Sequence, residues 1–135
     1  MADKIALEIV TPDRRVLTLD VDEVVLPSAN GSMGVLPNHA PLLAELGIGE
    51  VSYRVGGDRK FMAVSGGFAE VLRANVRILA RTTESAEDID LERAQKAKSL
   101  AEERLKSETD DAFQHAEVKL KRALCRIGVH SRGGA

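Results

Sequence analysis

Apolar and polar side chains alternate along the first part of the chain. Ile5, Leu7 and Ile9 are separated by single residues, the period of two expected of a half-buried strand, and Leu17–Val21 repeats it. Further apolar runs of strand length are Val24–Leu26, Leu42–Leu46, Val51–Val55, Lys60–Val64, Phe68–Arg73 and Val76–Ala80. Turn signals lie at Gly47-Ile48-Gly49, Gly56-Gly57-Asp58, Gly66-Gly67 and Ala74-Asn75. Closely spaced strands of this kind predict an all-β sandwich or flattened barrel.

The second part of the chain changes to a helical period. Asp88 or Asp90 is suited to cap a first helix, and Ser107–Asp111 supplies a turn and a second cap. The apolar stripes are Leu91, Ala94, Ala97, Ala101 and Leu105, then Phe113, Ala116, Leu120, Ala123 and Ile127. Gly128 is the expected C-terminal stop, with the residues from His130 onward frayed. Two helices joined by so short a link predict an antiparallel hairpin.

Composition changes where the period changes. All four prolines precede residue 42, and eight of eleven glycines lie between Gly31 and Gly67. Charged residues make up 20 of the first 84 positions and 20 of the last 51. We therefore predict a β-sandwich domain at residues 1–84 and a helical hairpin domain at residues 85–135.

The predicted hairpin has a thin apolar seam and opposite charges on its two halves. Residues 87–111 carry a net charge of −4 and residues 112–135 a net charge of +4. Exposed ion pairs contribute only about 0–1 kcal/mol each, and the alanines of the first stripe bury little surface. We therefore expect a hairpin that docks weakly and can change position.

Composition also limits the classes of function. With 135 residues, a net charge of −2 and 3% aromatic residues, the chain lacks the basic surplus and stacking platforms of a nucleic-acid binder. A single cysteine, Cys125, allows no internal disulfide and fits a reducing compartment. No apolar stretch is long enough for a signal peptide or a bilayer span, which predicts a soluble, cytosolic protein.

Catalytic patterns are missing from the sequence. There is no P-loop, Cys-x-x-Cys or His-Glu-x-x-His motif, so neither nucleotide hydrolysis nor a metal site is expected. Cys125 and His115 on one helix would lie about 15 Å apart along its axis, too far for a nucleophile and its base. We expect no catalytic residues and read Cys125 as a packing residue.

Two segments carry more information than the rest. The stretch Gly31 to Leu43, with the sequence GSMGVLPNHAPLL, combines glycines and stiffening prolines around His39; it reads as an ordered surface loop, either plain or partner-binding. Arg122 and Arg126 are neighbours on one helical face, and Arg93 could join them. Like charges so close need an anion, which is either a carboxylate of the acidic helix or a phosphate.

These segments resemble the epsilon subunit family of F-type ATP synthases over essentially the whole chain. The matching motifs are Gly31 to Leu43, Ile89-Asp90-Leu91-Glu92-Arg93-Ala94, and Leu120-Lys121-Arg122-Ala123 with Arg126. The resemblance implies a ten-stranded β-sandwich followed by a helical hairpin. It also implies a non-catalytic rotor subunit of the central stalk, peripheral to the cytoplasmic face of the cell membrane through the complex.

The resemblance further implies partners and a regulatory role. The sandwich would link the gamma subunit, near His39, to the membrane c-ring, near Gly31 and Ser32. The hairpin would permit rotation when folded down; extended along gamma, it would block ATP hydrolysis by the alpha/beta head, its basic helix meeting an acidic segment of beta.

Some members of that family bind ATP in the folded hairpin, and no other cofactor is expected. The matching positions are Glu84, Ile89, Asp90, Arg93, Ala94, Arg122 and Arg126. Leu100 stands where nucleotide-binding members carry an arginine, which would weaken or abolish ATP binding. Two alternatives stay open: an ATP-sensing binding module, and an unrelated β-sandwich adaptor whose helices are a stable cap.

Overall fold

A computed structural model describes residues 3–107 and 110–133 of the chain. Seven strands lie in this part: β1 Ile5–Val10, β2 Arg15–Val21, β3 Glu23–Ser28, β4 Gly31–Val35, β5 Leu42–Val55, β6 Asp58–Val71 and β7 Asn75–Ser85. A 3₁₀ turn, Ala86–Asp88, leads into helix α1, Leu91–Ser107, and α2 spans Asp110–Gly133. The predicted fold class, a β-sandwich followed by two packed helices, is confirmed.

The strands form one sheet that folds back over its own core. Their order is β2-β1-β7-β6-β5-β3-β4, and only the β1–β7 pair is parallel among the pairs described. Strands β2 and β5 nevertheless contact each other. Asp22, just after β2, joins the two, because its N–H donates to the Arg54 carbonyl (2.7 Å) and its carboxylate accepts from Gly56 N–H (2.7 Å).

Three long strands bend, at glycines in β5 and β6, which explains why seven strands are found instead of ten. On β6, Met62 and Val64 face the core before Gly66-Gly67, whereas Ala69 and Val71 face it afterwards. Both glycines have positive φ (71° and 123°), so the side-chain alternation shifts by one position there. The core positions of β5 and β7 shift in the same way. Each of these three strands passes through both layers, so segments predicted as separate strands are continuous.

Other local predictions have mixed outcomes. Gly56-Gly57 is the β5–β6 hairpin turn, as expected. The first five residues of the predicted Gly31–Leu43 loop instead form β4, because they pair with β3. Gly128 does not end α2, which runs to Gly133; glycine in a helix costs only about 1 kcal/mol, and packing on the sandwich outweighs that. Part of the expected 107–111 turn, and residues 134–135, lie outside the described residues.

Two apolar clusters of unequal size hold the structure together. The larger lies between the layers and contains the fully buried Ile5, Leu7, Leu26 and Ile78 among many others. The smaller lies between α2 and the sandwich, where Ala63, Ile89 and Val129 are buried and Phe61, Ala86 and Cys125 pack around them. Helix α2 packs on β5, β6 and β7, whereas α1 packs mainly on α2. The hairpin is thus attached through one helix and a small apolar contact.

Candidate functional site

The candidate site is the surface of α2 that carries Arg122 and Arg126. Arg122 Nε donates to Ser65 Oγ at 3.0 Å, and Arg126 Nε lies 2.6 Å from Glu84 Oε1. Both acceptors belong to the sandwich. The carboxylate expected for this arginine pair is therefore supplied for Arg126 by strand β7, not by the acidic helix. The free volume between α2 and the sheet at this contact is only about 10 Å³, which is too small for a ligand.

A groove opens on the other side of these two arginines, between α1 and α2. Its volume is about 290 Å³, near the lower limit of ordinary small-molecule sites, about 300–1,000 Å³. The lining residues are Ala97, Leu100, Ala101, Arg104, Lys119, Arg122 and Arg126. Among the described residues, four cations and no carboxylate line this space, a combination suited to a polyanion with an apolar part.

The predicted ATP-site residues occupy three different places. Arg122, Arg126 and Glu84 lie together, whereas Ile89 is buried against Ala63 and Val129 beneath α2. Asp90 caps α1, since its carboxylate accepts the Arg93 N–H at 3.1 Å, which confirms one of the two expected caps. Arg93 is exposed and does not line the groove, and Ala94 is buried.

Sequence reasoning missed Arg104 and Lys119 as groove residues. Arg104 follows the exposed Leu100 by one helical turn, and both side chains line the groove. The i, i+4 spacing from Leu100 was the available signal for Arg104. Lys119 carried no such signal, because its contribution depends on how α2 lies on α1.

The predicted interface residues lie at two separate places on the sandwich. Gly31 and Ser32 are exposed at the β3–β4 turn, where Ser28 Oγ donates to the Gly31 carbonyl at 2.6 Å. His39 is half-buried, with Nδ1 2.7 Å from the Ala40 carbonyl oxygen. Asn38 holds φ at 69° before it, and its N–H donates to the Arg73 carbonyl at 2.7 Å.

Exposed apolar side chains lie near His39 in the chain and on two strands of the sheet. Leu36, Leu42 and Leu43 flank it along the chain. Phe68 and Leu79 are also exposed and stand opposite each other on β6 and β7. Glu45 is in register with Phe68, so this face mixes apolar and charged side chains, and its exposed apolar ones are candidates for a protein contact.

Metal and membrane candidates have little support in the described ranges. No cluster of three or more potential metal-ligating side chains occurs among residues 3–107 and 110–133. Neither described helix is both long and apolar enough to cross a bilayer.

Family comparisons match both parts of the chain. Residues 4–86 match the ATP synthase delta/epsilon chain β-sandwich domain, and residues 87–130 match the long α-helix domain of the same chain. The chain belongs to the ATP synthase delta/epsilon chain family. The expected resemblance is thereby confirmed, and an unrelated β-sandwich adaptor is excluded. As a member of this family, the protein is a non-catalytic subunit.

Individual relatives of the delta/epsilon family agree over their full length. ATP synthase epsilon chain 2 of Syntrophotalea carbinolica is 45% identical, with 99% of both chains covered. The epsilon chain of Nitratidesulfovibrio vulgaris (strain DP4) is 48% identical, with 100% of both covered. A chain of the Euglena gracilis mitochondrial ATP synthase shares the fold (TM-score 0.82, 27% identity), covering 90% of this chain and 78% of that one.

Cys125 reports on the contact between α2 and the sandwich. Burial raises the pKa of its thiol above the ordinary value of 9.0, an effect that the nearby Arg126 partly opposes. The neutral thiol is therefore favoured when α2 is docked. The stability of the docked state is therefore unaffected by this thiol at a pH below its ordinary pKa. As the pH rises from there through the raised pKa, the undocked chain releases the proton more readily, and the docked state loses stability.

We expect Val129→Ala to accelerate modification of Cys125 by a thiol-specific disulfide reagent. The substitution removes two buried methyl groups, worth about 1.6 kcal/mol, from the cluster that Cys125 packs against. Opening of α2 should then be about tenfold more frequent, and labelling faster in proportion. The rate is measured at pH 8, where the reactive thiolate is scarce in the docked state.

Val118→Ala is the matched control for this measurement. Val118 is on the same helix but exposed, so its loss should leave labelling within about twofold of the unmodified chain. Equal rates for the two variants would contradict a docked position for Cys125.

Proposed function

We propose that this chain is the central-stalk rotor subunit that links the gamma subunit to the membrane c-ring in a proton-coupled ATP synthase. Full-length similarity to epsilon chains supports this role, as does a neighbour of the same fold described as central stalk and c-ring of the Tetrahymena thermophila enzyme (TM-score 0.64, 13% identity; 99% of this chain and 98% of that one covered). The protein would then be held peripherally at the cytoplasmic face of the membrane through the complex.

Two surfaces of the sandwich suit the two rotor partners. The polar β3–β4 turn with Gly31 and Ser32 suits the polar loops of a c-ring. The apolar surface near His39, with Leu43, Phe68 and Leu79 exposed, suits gamma, because its burial would be favourable at about 25 cal/mol per Å².

Leu79→Asp should weaken binding of the chain to gamma by about tenfold or more, since a carboxylate would be desolvated in the contact. Leu19→Asp is the control: Leu19 is also an exposed leucine of the sandwich (37%, against 48% for Leu79), but it lies on β2. The measurement is affinity for purified gamma, and equal losses would show that gamma does not bind through this surface.

We further propose that the hairpin is the regulatory arm. The supporting observation is its attachment: one small apolar cluster and a few polar contacts through α2, beside a sandwich with its own large core. Such an arm can leave the sandwich without unfolding it. Docked, it permits rotation; extended along gamma, its net charge of +4 over residues 112–135 suits an acidic segment of the beta subunits.

Removal of the arm and loosening of the arm should have opposite effects on ATP hydrolysis. A chain that ends at Ser85, the last residue of β7, lacks the inhibitory element, so hydrolysis by the reconstituted complex should rise. Glu84→Gln removes the partner of Arg126 and should shift the arm about threefold toward the extended state, so hydrolysis should fall. Glu8→Gln, which breaks ion pairs inside the sandwich, is the control. Unchanged hydrolysis after truncation removes the inhibitory role.

The groove between the helices favours a second role, ATP sensing. Arg122 and Arg126 contact the sandwich through Nε and also line the groove, so a nucleotide there would stabilise the hairpin and its docking together. Arg104 brings a cation within one turn of Leu100, where nucleotide-binding relatives of the resembled family carry arginine. The groove therefore keeps a positive charge near the position that Leu100 leaves neutral.

Calorimetric titration with ATP tests this role. The unmodified chain should bind, Arg126→Ala should lose most of the affinity, and Lys96→Ala, exposed on α1, should not change it. Leu100→Arg should tighten binding by about ten- to a hundredfold through one added charge-assisted contact. No heat at millimolar ATP, with or without the added arginine, would exclude a nucleotide site here.

A further inference from the structure

Three residues form a row across the sheet beneath α2. Glu50 on β5 is in register with Ala63 on β6, and Ala63 is in register with Glu84 on β7. Residues in register on neighbouring strands share one face of a sheet, so two carboxylates flank an alanine on the outer face. Helix α2 lies on this row: Val129 packs with Ala63, Arg126 pairs with Glu84, and Arg132 pairs with Glu50.

The spacing of the helix matches the spacing of the row. Neighbouring strands are about 4.8 Å apart, which separates the backbones of Glu50 and Glu84 by about 10 Å. Arg126 and Arg132 are six residues apart on α2, a rise of about 9 Å. Six residues also place the two arginines about 120° apart around α2, on either side of Val129, and each pairs with its own carboxylate.

Two further features fit the Arg132 end of the row. The Arg132 guanidinium carbon lies 5.5 Å from the centre of the Phe61 ring, within cation–π range. A Cβ atom at Gly128 would lie 3.1 Å from Glu50 Oε1 and 3.3 Å from Arg132 Nη1, closer than ordinary contact. Glycine at this position leaves the Glu50–Arg132 ion pair free of a side chain, whereas a methyl group would require both side-chain ends to shift by a few tenths of an ångström.

We infer that Glu50, Phe61, Gly128 and Arg132 form a second clamp that holds α2 on the sandwich independently of any nucleotide. This inference rests on the proposed regulatory role of the hairpin and adds what holds it when the groove is empty. None of the four residues lines the groove, whereas the Arg126–Glu84 contact includes a residue, Arg126, that does line it. The clamp therefore sets the docked fraction of the hairpin that a ligand then increases.

Amide hydrogen exchange of the full chain without nucleotide tests the clamp. Glu50→Gln should accelerate exchange at residues 125–131 by about three- to tenfold, because Arg132 loses its charged partner. Glu8→Gln is the matched control: its side chain is exposed to 23%, against 27% for Glu50, and also pairs with arginine. Exchange no faster than in this control overturns the clamp.

A charge exchange separates the Glu50–Arg132 ion pair from a general loosening of α2. The paired exchange Glu50→Arg with Arg132→Glu should restore protection to within about twofold, and failure to restore it counts against the ion pair.

Hydrolysis by the reconstituted complex distinguishes this inference from the proposed function. Faster exchange together with lower hydrolysis in Glu50→Gln supports both. Faster exchange with unchanged hydrolysis supports the clamp and removes the regulatory role. Unchanged exchange with altered hydrolysis overturns the clamp alone.

Discussion

The contact of α2 with the outer face of β5, β6 and β7 is the interaction on which the rest of the molecule depends. The sandwich has a core of its own, and α1 is held mainly by α2. Everything that positions the helical half therefore passes through one surface, whose apolar part is Ala63, Ile89 and Val129 with three half-buried neighbours. Only a few side chains are buried there, and burial of each large apolar side chain stabilises the contact by about 1.5–3 kcal/mol.

The polar part of this surface fixes the position in which α2 docks but adds little to the strength of the contact. Glu84 and Glu50 keep 32% and 27% of their side-chain surface exposed, so their ion pairs are partly screened by solvent. A misplaced helix would nevertheless leave carboxylates and arginines partly desolvated without partners. The row thus favours one docked arrangement of α2 while keeping the free energy of docking small, which suits the proposed regulatory arm.

Sequence patterns predicted the fold class because each half has its own period. The period of two and the change to a helical stripe near residue 85 are local properties, and Asp90 as a cap is local too. The strand count could not follow from them, because Gly47, Gly49, Gly66 and Gly67 read as turns when they in fact let strands continue through a bend. The helix end at Gly128 was wrong because α2 packs on the sandwich beyond it, through Val129 and Arg132, whose partners Ala63 and Glu50 are far away in sequence.

The arginine pair illustrates the same limit at the candidate site. Spacing four residues apart predicted a shared anion for Arg122 and Arg126, but not that the anion would be Glu84 on β7 or that Arg122 would reach Ser65. These partners depend on where α2 crosses the sheet, which no local pattern encodes. The groove also depends on how the helices pack. Arg104 on α1 and Lys119 on α2 line the same space because α1 packs on the side of α2 opposite the sheet.

Arg122 and Arg126 lie between their sandwich acceptors, Ser65 and Glu84, and the groove, which bears on the proposed ATP sensing. A guanidinium can bind through Nε on one side and through its terminal nitrogens on another, so a second anion need not displace the first. The two arginines repel each other until both sides are neutralised. A polyanion in the groove therefore adds to the contacts with Glu84 and Ser65 instead of competing with them. The proposed nucleotide binding and the proposed docking of the arm would then be positively coupled through two side chains, without any change in the sandwich.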